Sequence, residues 1–322
     1  MKQFLIKYAP ILPGALYGLV LRLIFNIPYG NHFSFTDLFS ITFIWIVPFI
    51  MGVAPLIFAK KRYLENIGYT AFVPLLSILL FAIICFITRI EDIICIVIIA
   101  LPFLLCAMFG GLAFGRLILK YRERRGIVYS ILFIPLVAGI VEEQFIIPSQ
   151  AFEIRTVRII NASPDNIWKN VIRVKEIKNN EYSKGFYNYA GIPKPIFAEL
   201  DKDTIGATRI GHFEGGLLFK ETVSYWDKRN KISFNIKVIQ STLRNTVFDQ
   251  HLLTGKHFEF LTASYELKKI TSSQTQLTLT SSYQLDTRIN MYASMWGNSM
   301  LSDFQGRLLD VIKVRCEKNQ TP

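Results

Sequence analysis

The sequence predicts two unlike parts. Residues 1–148 read as a helical transmembrane bundle of about five spans, and residues 149–322 as an α+β domain in which a curved antiparallel sheet meets one long C-terminal helix. Three observations carry this: an uneven distribution of charge, a run of short alternating segments after residue 150, and an apolar stripe of helical period at the C-terminus. Of 322 residues, 51% are apolar and only 19% charged, whereas soluble domains carry about 25% charge. Residues 1–148 hold 12 Lys/Arg and 7 Asp/Glu, and residues 149–322 hold 24 and 17, so net charges of +5 and +7 make up the total of +12. This pattern excludes a single soluble enzyme, a disordered chain and a collagen-like fibre.

A bilayer core asks for about 20 apolar residues per helix. Five stretches qualify: 9–27, 37–59, 70–88, 92–117 and 126–147. A cleaved signal peptide does not fit, since more spans follow the first. Lys2, Lys7, Lys60, Lys61, Arg62, Arg116, Lys120, Arg122, Arg124 and Arg125 fall on one side of such a bundle. The opposite loops, 28–36 and 89–91, contribute only Arg89, and Arg22 near the end of the first span is expected to snorkel. The bias places the N-terminus in the cytoplasm. Five spans then put residues 149–322 outside it. A re-entrant fifth segment, whose apolar run Gly126–Val141 is short, would leave them inside. The compact layout without organelle signals suggests a bacterial inner membrane.

Gly14/Gly18 and Gly111/Gly115 are small residues four apart. Such pairs let helices approach closely, either within the bundle or as a homo-oligomer face. Pro13, Pro48, Pro55, Pro74, Pro102 and Pro135 read as kinks. Glu142-Glu143 invites comparison with the Glu-Glu-x-x-x-Arg motif of intramembrane proteases. However, Ile147 stands at the arginine position and His32 is the only histidine before residue 212, so an acidic pair at a helix end is the plainer reading. No acidic or basic residue lies at the centre of a span, which argues against a pump or channel. The four cysteines, Cys85, Cys95, Cys106 and Cys316, show no metal-ligand spacing, and the second half holds only one. No cofactor or metal is expected.

In the second half, Glu153–Ile160 reads as a strand. Ser163-Pro164-Asp165 opens a helix, with serine as cap, proline in the first turn and aspartate at the positive end. Ile167, Trp168, Val171 and Ile172 form its apolar face. Residues 176–190 suggest a short helix and a loop. Six strands follow at 196–200, 206–213, 217–226, 231–239, 257–267 and 275–285. The alternation is clearest where Ile232, Phe234, Ile236 and Val238 share one face, and Leu277, Leu279, Tyr283 and Leu285 share another. Turn-length links imply antiparallel pairing. Only 240–256 is longer, and it suits the role of a cover over an opening. From about 290 to 317, Trp296, Met300, Phe304, Leu308 and Val311 make a helical stripe that must bury itself on the apolar side of the sheet.

The turn at Glu214-Gly215-Gly216 sets the register. A three-residue turn sets Phe213 against Leu217 and Arg209 against Glu221, on the face of Phe219 and Val223. A two-residue turn sends His212 to that face instead. An Arg209–Glu221 pair is then either a cross-strand salt bridge or an anchor for a ligand head group. Asp249, His251, His257 and Glu259 gather around the long link, where a histidine with a carboxylate suits acid–base work. There is no Gly-x-Ser-x-Gly elbow, phosphate loop or His-Glu-x-x-His motif.

Over about 153–318 the chain resembles the START-like superfamily, also called SRPBCC or the polyketide cyclase/dehydrase and lipid-transport proteins. The resemblance lies in Ile159-Ile-Asn-Ala-Ser-Pro-Asp-Asn-Ile-Trp168, in Gly206-Ala-Thr-Arg209 with Glu221-Thr-Val-Ser-Tyr-Trp226-Asp227, and in the closing helix. It implies a helix-grip fold with an apolar cavity between sheet and helix. The ligand-binding candidates are Arg209, Phe219, Glu221, Phe234, Ile236, His257, Tyr283 and Trp296. The expected ligand is a lipid or another hydrophobic small molecule held beside the bilayer. The alternatives are a cyclase/dehydrase-like enzyme using acid–base residues in the cavity, and a structural or regulatory protein whose soluble domain binds another protein. The basic balance of this half suits anionic head groups better than nucleic acid, which is not an expected partner.

Overall fold

The computed structural model describes residues 6–25, 28–29, 33–34, 38–121 and 129–318. The chain divides into two units, Met1–Ile147 with Thr287–Ile289, and Pro148–Asp286 with Asn290–Pro322.

The main helices of the first unit are α1 (Ile11–Ile24), α2 (Val47–Ile57), α3 (Ile67–Ile87), α4 (Ile93–Tyr121) and α5 (Ile134–Glu142). Among the described residues, of the five expected spans only α3 and α4, with 21 and 29 residues, are long and apolar enough to cross a membrane. α1 has 14 residues, which at 1.5 Å each gives about 21 Å against a hydrocarbon core of about 30 Å. The second stretch starts with a π-helical turn at Thr42–Ile46 and carries Pro48 and Pro55, and its apolar helix ends at Phe58. The fifth is a 3-10 turn running into nine helical residues. α3 starts three residues before the expected boundary because the Asn66 side chain caps it, accepting from the Tyr69 N–H at 3.1 Å. Lys2, His32, Arg122, Arg124 and Arg125 lie outside the described residues.

Arg22 does not snorkel. It is 2% exposed and pairs with Glu91 at 2.5 Å, because a carboxylate from the α3–α4 connection reaches it before water does. Glu142 accepts the backbone N–H groups of Ile41 and Thr42 at 2.7 and 2.8 Å. Its charge therefore sits at the positive end of the helix that begins there. The glycine pairs face other helices of the same chain. A Cβ on Gly14 would meet Ser77 at 2.6 Å, on Gly18 Met51 at 2.2 Å, on Gly111 the Thr70 carbonyl at 2.2 Å, and on Gly115 the Thr70 side chain at 2.7 Å. The close approach these glycines permit is thus used within one chain.

The second unit has the helix-grip arrangement. Its elements are β1 (Ser149–Ile160), α6 (Pro164–Ile172), β2 (Pro195–Leu200), β3 (Thr208–Phe213), β4 (Leu218–Asp227), β5 (Lys231–Val238), α7 (Val247–Leu252), β6 (Phe258–Lys269), β7 (Thr275–Asp286) and α8 (Asn290–Lys318). All seven strands pair antiparallel in the order β1-β7-β6-β5-β4-β3-β2. Bulges interrupt β2, β4 and β6, and each bends its strand. One face is apolar, with Val223, Ile232, Phe234, Leu277 and Leu279 at most 2% exposed. α6 buries Ile167, Trp168, Val171 and Ile172 into the same core. α8 contributes Leu308, Leu309, Val311, Ile312 and Cys316.

Candidate functional site

The three-residue turn is the one that forms. Gly215 and Gly216 have φ of 77° and 83°, a left-handed conformation that side chains disfavour. The Phe213 N–H then donates to the Leu217 carbonyl at 2.9 Å, and Arg209 pairs across the strands with Glu221. The two side chains meet at 2.5 Å with exposures of 4% and 13%. Beneath them Phe234 lies with its ring 5.1 Å from the guanidinium carbon. Tyr265, on β6, lies near enough to act electrostatically on the same arginine. Burial works against the charge on Arg209, but Glu221 and Tyr265 outweigh it, and the guanidinium is held above its ordinary range. Burial pushes the Tyr265 hydroxyl up, and Arg209 offsets part of that. Arg209 Nε is buried and has no hydrogen-bond partner.

Aromatic rings extend from this pair along the inner face. Phe213 and Phe219 are 4.7 Å apart, Phe219 and Phe260 5.2 Å, and Phe213 and Phe304 6.1 Å. Phe219, Phe260 and Phe304 remain half-buried. The long link lies beside them. Its Leu253 and Leu243 pack with Phe213, Leu217 and Phe219, and Gln240 is tied to the Leu253 carbonyl at 2.9 Å. Asp249, fully buried, holds the link together by accepting from Arg244 Nη2 at 2.5 Å and Nε at 3.0 Å.

Arg209, Phe219, Glu221, Phe234 and Ile236 therefore gather on adjacent strands, with Ile236 directly opposite Glu221. His257 does not join them. It precedes β6, and its Nδ1 lies 3.4 Å from the Asp286 carbonyl. Glu259 is exposed and pairs with Gln284 on the other face. Tyr283 is fully buried and bound into the fold, its hydroxyl donating to Asn298 Oδ1 at 2.7 Å. Gly297 makes room for that contact, since a Cβ there would stand 2.8 Å from the Tyr283 hydroxyl. Trp296 is half-buried on α8.

Two participants were not foreseen from the sequence. Tyr265 falls on the inner face because the bulge between Phe260 and Thr262 resets the alternation. Gln305 sits in the apolar stripe, fully buried, accepting from Thr156 Oγ1 at 2.7 Å and donating to Ser281 Oγ at 2.8 Å. A polar residue one step from Phe304 was the only available signal. Among the described residues no three His, Cys, Asp or Glu side chains come together as metal ligands.

No protein-family model matches the chain. No curated protein matches it either. Similar solved structures include an uncharacterized protein from Rhizobium leguminosarum, with 13% identity, 54% of this chain and 99% of that one covered, and a TM-score of 0.33. A second is norcoclaurine synthase from Thalictrum flavum in complex with dopamine and hydroxybenzaldehyde, with 11% identity, 54% and 91% covered, and a TM-score of 0.33. A third is DynU16, a protein in the dynemicin biosynthetic locus, with 18% identity, 48% and 45% covered, and a TM-score of 0.29. The helix-grip assignment rests on the strand order and the long helix, not on these likenesses.

Proposed function

We propose that the chain is a membrane-anchored binding protein whose helix-grip domain holds a lipid or another hydrophobic small molecule between the sheet and the N-terminal half of α8. One observation carries the reading. Phe219, Phe260 and Phe304 pack against the closed core yet are only half-buried, and Met300 and Trp296, one and two turns earlier on α8, are half-buried too. A folded protein gains by covering such rings. At about 25 cal/mol per Å², a guest burying roughly 300 Å² gains about 7 kcal/mol gross. Association costs of several kcal/mol bring the affinity to about micromolar. Arg209 and Glu221 lie on the same face as Phe219 and give a polar head group somewhere to turn. α3 and α4 hold the chain in the bilayer.

The test uses the full chain reconstituted in nanodiscs and released into native mass spectrometry, with top-down fragmentation to locate retained molecules. The expected result is an apolar molecule of a few hundred daltons on fragments of residues 149–318, with slower hydrogen exchange in β4 and β6 when it is present. Retention confined to residues 6–147, with exchange in β4 and β6 unchanged by added total lipid extract, would sink the proposal.

A further inference from the structure

One end of the first unit is ringed with cations and tyrosines. Lys7 lies over Tyr8, Arg62 over Tyr63 and Lys120 over Tyr121, at 5.1, 4.6 and 5.5 Å from the ring centroids. Tyr69 stacks on Tyr63 at 5.3 Å and donates its hydroxyl to the Lys7 carbonyl at 2.7 Å. All four tyrosines belong to one cluster around Leu64 and Ile118. Paired basic and aromatic residues of this kind mark the level of lipid head groups. At the same end a groove of about 310 Å³ opens between the start of α3 and the last turns of α4, the small end of the range for ligand sites. Its apolar lining is Leu64, Ile67, Leu112 and Leu119, and its two charged residues are Glu65 and Arg116. Both are exposed. Among the described residues neither side chain has a salt bridge, to the other or to anything else.

Two opposite charges facing one greasy groove, and not satisfied by each other, complement a zwitterion with an apolar tail. We infer that the groove binds an aminophospholipid, with its phosphate on the Arg116 guanidinium, its primary ammonium on the Glu65 carboxylate and the start of an acyl chain along Ile67, Leu112 and Leu119. Arg116 offers a fork of N–H donors to phosphate oxygens. Glu65 accepts N–H bonds that a quaternary choline cannot give, so the pair distinguishes ethanolamine from choline. The surrounding cations act on any phosphate and are screened within about 8 Å, whereas the carboxylate in the lining disfavours a purely anionic head group. This inference rests on the reading that the bundle lies in a bilayer, but not on the helix-grip ligand.

The full chain is reconstituted in nanodiscs of equal phosphatidylethanolamine, phosphatidylcholine and phosphatidylglycerol, and the lipids that stay bound are counted by native mass spectrometry. Wild type is expected to retain phosphatidylethanolamine over phosphatidylcholine by about fivefold, the worth of one partly exposed charged contact. Glu65→Gln erases that ratio and shifts retention towards phosphatidylglycerol. Arg116→Gln lowers retention of all three lipids by about fivefold, and Arg116→Lys keeps them. Equal retention of ethanolamine and choline lipids, a wild-type preference for phosphatidylglycerol, or a Glu65→Gln variant with the wild-type ratio would each overturn the site. A chain that stays soluble without detergent and never enters the nanodisc would instead overturn the membrane reading.

Discussion

Replacing Arg209 by methionine tests whether the inner face of the sheet is built around a charge pair. The change keeps roughly the volume and removes the cation opposite Glu221. The carboxylate is then left 13% exposed, on an inner face it shares with Val223, beside Ile236. Removing one member of a buried pair costs about 3–5 kcal/mol, since the other charge stays behind without compensation. The lost contact with Phe234 adds to this, by about 1–2 kcal/mol for a desolvated cation over a ring. Removing both charges is a different matter. In Arg209→Met/Glu221→Leu the desolvation cost disappears along with the attraction, and apolar replacements of buried pairs are often neutral. What remains is the lost contact with Phe234, about 1–2 kcal/mol. The double variant is therefore expected to be more stable than the single one, by about 2 kcal/mol or more. Hydrogen exchange on the full chain measures this locally. At about 1.4 kcal/mol per tenfold, protection in β3, β4 and β5 should fall by about three to five powers of ten in Arg209→Met and recover by at least one in the double variant. Protection within threefold of wild type in the single variant, or a double variant as weak as the single, would refute the reasoning.

Two further predictions concern how α8 is fastened. Arg315 grips Glu181 with two bonds of 2.9 and 2.8 Å, and that contact holds the Glu181 carboxyl at about 2. A carboxyl lowered in the folded state stabilises above its unfolded value of about 4.3 and loses that contribution as pH falls towards 2. With 20% of the Glu181 side chain exposed, solvent screening leaves about 1 kcal/mol; Arg315→Gln should flatten the acid limb of the stability curve below pH 4, and an unchanged limb would count against the pairing. Gln305→Leu strands the hydroxyls of Thr156 and Ser281, so the helix-grip unit should lose about 1–3 kcal/mol by denaturant titration, more than Gln305→Glu with the carboxyl protonated.

Much of the second unit was legible because its strands alternate cleanly and its turns carry glycines. The register came from Glu214-Gly215-Gly216, where two consecutive positive φ angles leave few alternatives. From that register the Arg209–Glu221 pair followed. Tyr265 was not legible, because a bulge shifts which residues face inward and no residue type announces a bulge. Tyr283 looked like a ligand contact by parity alone, and only the close approach of Gly297 on α8 shows that its hydroxyl is already taken. In the first unit, apolar runs were read as spans, but apolar length is not helix length. Among the described residues, three of the five runs form helices too short for a bilayer, two of them with a proline in the first turn. Arg22 was misplaced for a similar reason: a charge near a helix end was assigned to water, when the partner Glu91 lies 69 residues away in the chain.

The long helix explains why the domain can be both firmly folded and receptive. Its C-terminal half is buried through Leu308, Leu309, Val311, Ile312 and Cys316, and burial pushes the Cys316 thiol up to about 11, which keeps it unreactive at neutral pH. Gln305 bolts the middle of the helix to β1 and β7. Only beyond that point, at Phe304, Met300 and Trp296, does the stripe stop being fully covered. On the proposed reading, a guest entering there would displace water from rings without breaking any contact of the closed half, so its binding would not draw on the stability of the fold. The converse also holds. Loosening Gln305 or Arg315 weakens the half that keeps the helix in place, and should reduce ligand retention without changing a single residue in the ring cluster.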